Sequence, residues 1–218
     1  MAAKWRWNIA QWFELRWWKQ YLKNKDTTAY LNWKQQYWKK VLQQLEPELL
    51  VRSHMSVADL GCGPSGIYMA VKECKVTAID PLLDAYEKNT AVFNKGMYPH
   101  VQFISTTLEA YRPEQPFDVV FCMNAINHVN NYEQALNTLQ QCSKPGGNVA
   151  ITIDAHNHRF FKYLFRLIPG DVLHPHQFDL NEYKQHLRQR HLRVIKCVEL
   201  KQGFFFNHYL LLAVNTGQ

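Results

Sequence analysis

No stretch of the 218-residue chain approaches the roughly 20 uninterrupted apolar residues of a membrane-spanning helix. Met1 to Tyr21 mixes Lys and Arg through its aromatic residues and lacks the apolar core and small-residue cleavage site of a secretory signal. Cys62, Cys74, Cys122, Cys142 and Cys197 are odd in number and contain no Cys-x-x-Cys pair. This argues against a disulfide framework or a zinc knuckle and for buried thiols in a cytoplasmic protein. No cluster has metal-ligand spacing, so no metal is expected and a magnesium-dependent catechol-type reaction is disfavoured. Repeats and low-complexity segments are absent too. At 47% hydrophobic and 14% aromatic residues the chain is far from a disordered composition. Its length suits one large domain, or one domain plus an appendage.

What is present is unevenly distributed. Residues 1–52 hold 10 Lys/Arg against 4 Asp/Glu, whereas residues 53–218 hold 15 against 14. All 7 tryptophans lie within the first 38 residues. The sequence therefore divides into a basic, Trp-rich arm (1–52) and a near-neutral body (53–218). Residues 4–23 contain neither Pro nor Gly and read as one helix. Asp26, Thr27 and Thr28 form a cap for a second, running to about Leu45. In that helix Tyr30, Trp33 or Lys34, Tyr37, Trp38 and Val41 recur at spacings of three and four, which predicts a buried aromatic face. Pro47 marks a break.

The body alternates β-rich runs with helical stretches. Strands are expected near Val57–Leu60, Lys75–Ile79, Val101–Ile104, Phe117–Met123 and Asn148–Ile153. Helices are expected near Ile67–Glu73, Leu82–Lys95, Tyr132–Cys142, His158–Ile168 and Leu180–Gln189. This alternation implies a parallel sheet covered on both faces. Leu192–Leu200 and Phe204–Asn215, joined by a short link with Gly203, read as a closing antiparallel hairpin. The fold class is α/β, a doubly wound Rossmann-like sheet with one antiparallel strand and an N-terminal helical arm.

The strongest local signal is Asp59-Leu60-Gly61-Cys62-Gly63-Pro64-Ser65-Gly66, which follows a strand as a nucleotide loop must. Gly61 and Gly63 let the backbone turn tightly and approach a ligand closely. Asp80 ends the second strand, 19 residues after Gly61, where a carboxylate accepts both ribose hydroxyls of an adenosine. A dehydrogenase would share that loop. Yet Asp59 at the strand end would repel a pyrophosphate and welcome an ammonium. Lys144-Pro145-Gly146-Gly147 before the fifth strand and the reversed terminal hairpin point the same way.

With these features, VADLGCGPSG (57–66), VTAIDP (76–81), FDVVFCMNAINHV (117–129) and SKPGGNVAITI (143–153) resemble the class I S-adenosylmethionine-dependent methyltransferases, including the small-molecule enzymes of quinone biosynthesis. The resemblance covers about Ser56 to Asn215 and implies a seven-stranded sheet. It implies methyl transfer from S-adenosyl-L-methionine to a small-molecule acceptor, with S-adenosyl-L-homocysteine as product. Asp59, Gly61, Cys62 and Gly63 would hold the methionine moiety, Asp80 with Pro81 the ribose, and Asn124 would lie beside the sulfonium. Where the family often places an Asp beside the adenine, this chain has Thr107; the Leu108 N–H and Glu109 are the expected substitutes.

Methyl transfer is an in-line displacement whose main demands are alignment and exclusion of water. A base is needed only for a protonated oxygen or nitrogen acceptor. His128, after the fourth strand, is the first candidate and His176 the second; His156, His158 and His174 follow. Three readings of the arm stay open: packing, a lid in which Trp33, Tyr37 and Trp38 shape the acceptor pocket or face the sulfonium, and peripheral membrane contact. The last rests on Lys4, Trp5, Arg6, Trp7, Trp12, Arg16, Trp17, Trp18 and Lys19, aromatics mixed with positive charge, and would suit a lipid or quinone acceptor. Nucleic acid is disfavoured, because the charge stops at the arm and Met123-Asn124-Ala125-Ile126 replaces the base-methylating Asn-Pro-Pro-Tyr pattern. A catalytically silent binding protein or scaffold is the alternative to an enzyme.

Overall fold

The computed structural model describes residues 2–156 and 178–217, with side chains described for residue 9 and from residue 11 onward. The arm is two helices, α1 (Ala2–Leu22) and α2 (Thr27–Leu45). Asp26 caps α2 as expected, its side chain accepting the Ala29 N–H at 2.7 Å. Beyond it come β1 (Ser56–Leu60), β2 (Lys75–Ile79), α3 (Leu83–Asn89), β3 (Val101–Ile104) and β4 (Phe117–Cys122). Then follow α4 (Tyr132–Cys142), β5 (Ser143–His156), α5 (Leu180–Arg188), β6 (Leu192–Lys201) and β7 (Phe206–Asn215).

The seven strands form one sheet in the order β3-β2-β1-β4-β5-β7-β6. β1 to β5 pair in parallel, and β7 runs antiparallel to both β5 and β6. The strand order reverses between β1 and β4, so a crevice opens outside their carboxyl ends, the usual ligand position in open α/β sheets.

Each face of the sheet has its own core. In β4, Val119 and Phe121 point into a cluster with Val57, Tyr68, Tyr86 and Phe93, while Val120 and Cys122 point into another with Leu136, Leu139 and Tyr183. Trp38, Val41, Leu45 and Leu49 complete the first cluster, so α2 is a layer of the fold. Tyr30, Trp38, Val41 and Leu45 are its buried residues; Trp33, expected on the same face, is 54% exposed.

Three expectations need correction. Ile67–Glu73 is no α-helix: it holds one short 3₁₀ turn, Ile67–Met69, separated by the extended Gly66 from another at Gly63–Ser65. The second expected helix ends at Asn89, where the extended Thr90 turns its hydroxyl back to donate to the Tyr86 carbonyl; Lys95 opens a separate turn. Four cysteines are buried free thiols, but Cys197 is exposed, because β6 is the edge strand. The helix expected at His158–Ile168 lies outside the described residues, as do His158, His174 and His176. Among the described residues no helix is long and apolar enough to cross a membrane.

Candidate active site

The chain leaves β1 and folds over the tip of β2, where the Gly61 and Cys62 N–H groups donate to the Ile79 carbonyl at 2.8 and 3.0 Å. Gly61 has φ +74°, and a Cβ there would collide with that of Ala125. Gly63 has φ +58°, and a Cβ there would project toward the Trp18 ring. Only glycine adopts such angles freely. The Gly63 N–H donates to one oxygen of Asp80 at 3.0 Å and the Leu82 N–H to the other at 2.9 Å, which fixes that carboxylate at the strand end.

Gly61, Cys62, Gly63, Asp80 and Pro81 line one side of a cavity of about 150 Å³. Thr107, Leu108, Glu109, Asn124 and His128 are among the body residues that line the other side. Asp59 does not line it. Its carboxyl lies fully buried beneath the loop, where one oxygen accepts the Tyr68 N–H at 3.1 Å and the other has no hydrogen-bond partner among the described residues. Its position supports the loop from below. Glu109 also serves the frame, accepting the Asn130 and Asn131 N–H groups at 2.8 and 3.0 Å just before α4. Thr107 Oγ1 accepts the Ala110 N–H. Asn124 has φ 57°; its N–H donates to Thr152 Oγ1, whose hydroxyl donates back to the Asn124 side chain at 2.8 Å. A non-glycine residue held there is worth a functional reading. His156 is buried against Phe206 and lines neither this cavity nor the next.

The arm supplies the remaining wall, including Gln11 and Glu14, which the sequence did not single out. Gln11, Glu14 and Trp18 of α1 and Lys34 and Trp38 of α2 all face the cavity. Tyr86 donates its hydroxyl to Glu14 at 3.1 Å, and Lys19 donates to Asn89, pinning α1 along α3. The Trp38 indole N–H donates to the Ser65 carbonyl at 2.8 Å, and the Tyr30 and Ser65 hydroxyls lie 2.9 Å apart, tying α2 to the glycine loop.

A second cavity of about 450 Å³ lies between the two arm helices. Phe13, Trp17, Trp18, Tyr21, Tyr30 and Trp33 wall it. Glu14, Trp18, Lys34, Asn124 and His128 line both cavities, so the two meet. Of the three expected pocket aromatics, Trp38 faces the first cavity and Trp33 the second; Tyr37 lines neither and packs against both rings.

Burial pushes the Asp80 carboxyl up to about 7, and the charge of Glu14 adds to it. Glu14 is itself raised by burial, against the hydroxyl of Tyr86. Burial likewise lifts Asp59 to about 7. Lys34 is pulled down to about 8 by burial, with Asp59 acting the other way. Its ammonium lies 4.6 Å from the Trp38 ring centre and 4.9 Å from that of Tyr37, so a cation already occupies those faces. Among the described residues it has no ion-pair partner, and it is the one Lys or Arg on either wall.

The family described as methyltransferase domain matches residues 30–202. The chain is 33% identical over 123 residues to the ubiquinone biosynthesis O-methyltransferase of Rickettsia typhi, covering 56% of this chain and 49% of that protein. It is 33% identical over 124 residues to that of Azoarcus sp. strain BH72, covering 54% and 51%. The chain thus spans about half the length of the curated relatives it matches. Among solved structures, the Burkholderia thailandensis 1,6-didemethyltoxoflavin-N1-methyltransferase, with 1,6-didemethyltoxoflavin and S-adenosylhomocysteine bound, is similar at a TM-score of 0.61 and 15% identity, covering 99% of this chain and 89% of that one. Magnesium protoporphyrin IX methyltransferase from Synechocystis PCC 6803 is similar at 0.58 and 16%, covering 83% of each. At such identities the likeness is one of fold.

Proposed function

The chain belongs to the methyltransferase-domain family, and from that premise we propose that it transfers a methyl group from S-adenosyl-L-methionine to a small-molecule acceptor at oxygen or nitrogen. The observation that carries this reading is the meeting of two cavities at one shared wall, one beside the glycine loop and one walled by aromatic rings. The first fits the cofactor. Gly63 leaves open the space a Cβ would take, and Asp80 is held by two backbone N–H groups with its carboxylate on the cavity wall. Gly61, Cys62 and Gly63 would lie along the methionine moiety, and Asp80 would accept the ribose hydroxyls.

The bound cofactor supplies an electrophilic methyl group and a neutral thioether leaving group. The chain's residues align and shield. Asn124, locked by Thr152, and His128 stand at the junction where acceptor and methyl carbon would meet. His128 takes the proton of an acceptor hydroxyl or amine there. The Lys34 ammonium, lacking an anion of its own, would neutralise the cofactor's carboxylate at the same junction. Aromatic walls exclude water from the path. The arm, residues 1–52, then serves as a lid on the body, and the 33%-identical relatives named as O-methyltransferases favour oxygen as the acceptor atom.

Calorimetric titration with S-adenosylhomocysteine tests the reading, with NAD as control. Binding by the native protein, weakened by roughly 2–4 kcal/mol in Asp80→Ala through loss of two hydrogen bonds, is the expected result. No binding by the native protein contradicts it.

A further inference from the structure

In the loop after β3, the Thr107 hydroxyl and one Glu109 oxygen are already engaged in the frame. Thr107 stands where a carboxylate would be expected, its hydroxyl oxygen takes the Ala110 N–H, and Glu109 takes two N–H groups ahead of α4. Across the same cavity, the side-chain oxygen of Gln11 is buried and has no hydrogen-bond partner among the described residues. A buried orphan acceptor costs about 1–3 kcal/mol unless a donor arrives. Such an atom, on a residue that lines a ligand cavity, points to a ligand donor within reach of the side chain.

The helix gives the order. Gln11, Glu14 and Trp18 share one face of α1 at spacings of three and four. Trp18 lies over Gly63, with its ring 3.9 Å from where a Cβ would be. Glu14 comes one turn earlier, hydrogen-bonded to Tyr86 and close enough to Asp80 to raise its carboxyl. Gln11 comes next, about 4.5 Å further along at 1.5 Å per residue. This progression matches the course of a nucleoside that starts at the glycine loop, passes Asp80 and ends at Thr107 and Leu108.

We propose that α1 forms the outer half of the nucleoside site, with Gln11 accepting a hydrogen bond from the exocyclic amine of adenine and Glu14 one from a ribose hydroxyl. The inference rests on the S-adenosylmethionine reading and deepens it. Gln11 would supply from the arm the acceptor that a carboxylate at the position of Thr107 would have given.

The test is calorimetry with S-adenosylhomocysteine and with its purine analogue, which lacks the 6-amino group and keeps N1 as an acceptor. The native protein should prefer the adenine ligand by roughly 5- to 30-fold, the worth of one hydrogen bond. Gln11→Leu should lose that factor on the adenine ligand and bind both about equally. Glu14→Gln should weaken both ligands alike. Gln11→Asn, too short to reach, repeats the test if leucine perturbs α1. A Gln11→Leu protein that keeps the native preference, or a native protein with no preference, overturns the inference while leaving the cofactor reading intact. A native protein that binds neither ligand removes both.

Discussion

The two arm helices are made of the same material and meet different fates. Both are rich in Trp and Lys, yet α2 buries Tyr30, Trp38, Val41 and Leu45 in the core beneath the glycine loop. α1 leaves Trp12 and Trp17 each 55% exposed and turns Glu14 and Trp18 toward the cavities. The difference is one of partners. α2 lies against the sheet and against the turns at Ser65 and Met69, to which Trp38 and Gln35 donate. α1 rests on α3 and on the rim of the cavities, where it finds few apolar partners. On the proposed reading α2 is built for stability and α1 for closing a site.

Substitutions separate the two roles most sharply in stability. Trp38→Ala should cost about 3–5 kcal/mol in urea unfolding, as truncation of a fully buried aromatic does. Trp12→Ala, 55% exposed on α1 and lining neither cavity, should cost about 1 kcal/mol or less in the same experiment. Equal losses would erase the distinction.

The next effect is electrostatic and reaches from α1 into the body. Asp59 and Asp80 have carboxyls raised to about 7 in the folded state, chiefly by burial. Folding therefore favours their protonated forms. Their contribution to stability is fully present below about pH 4 and is lost as pH rises through about 7. Glu14 raises Asp80 and is itself raised. Glu14→Gln removes both effects, so its melting temperature relative to native should rise between pH 5 and pH 8. A constant difference across that range would mean that α1 does not sense the site.

Much of the frame was legible because its signals are local. The β-rich runs, the Asp26 cap and the Gly61–Gly63 loop each depend on a few adjacent residues. The loop, Asp80, Asn124 and His128 indeed line one cavity. The helix expected at Ile67–Glu73 failed because Gly66 is extended and Asp59 takes the Tyr68 N–H, a competition the local pattern does not reveal. Asp59 itself was expected in the cavity and supports the loop instead. Gln11 and Glu14 could not be read from spacing. α1 is aromatic on several sides, so no periodicity identifies the face that meets a cavity nearly 100 residues away in the chain.

Native-state hydrogen exchange, with and without S-adenosylhomocysteine, tests the contrast between the helices most directly. The account predicts that α2 amides are protected near the global limit in both states, while α1 amides exchange faster in the free protein and slow on binding. Protection of α1 equal to that of α2 without ligand, or α1 exchange unchanged by a ligand that binds, would contradict it.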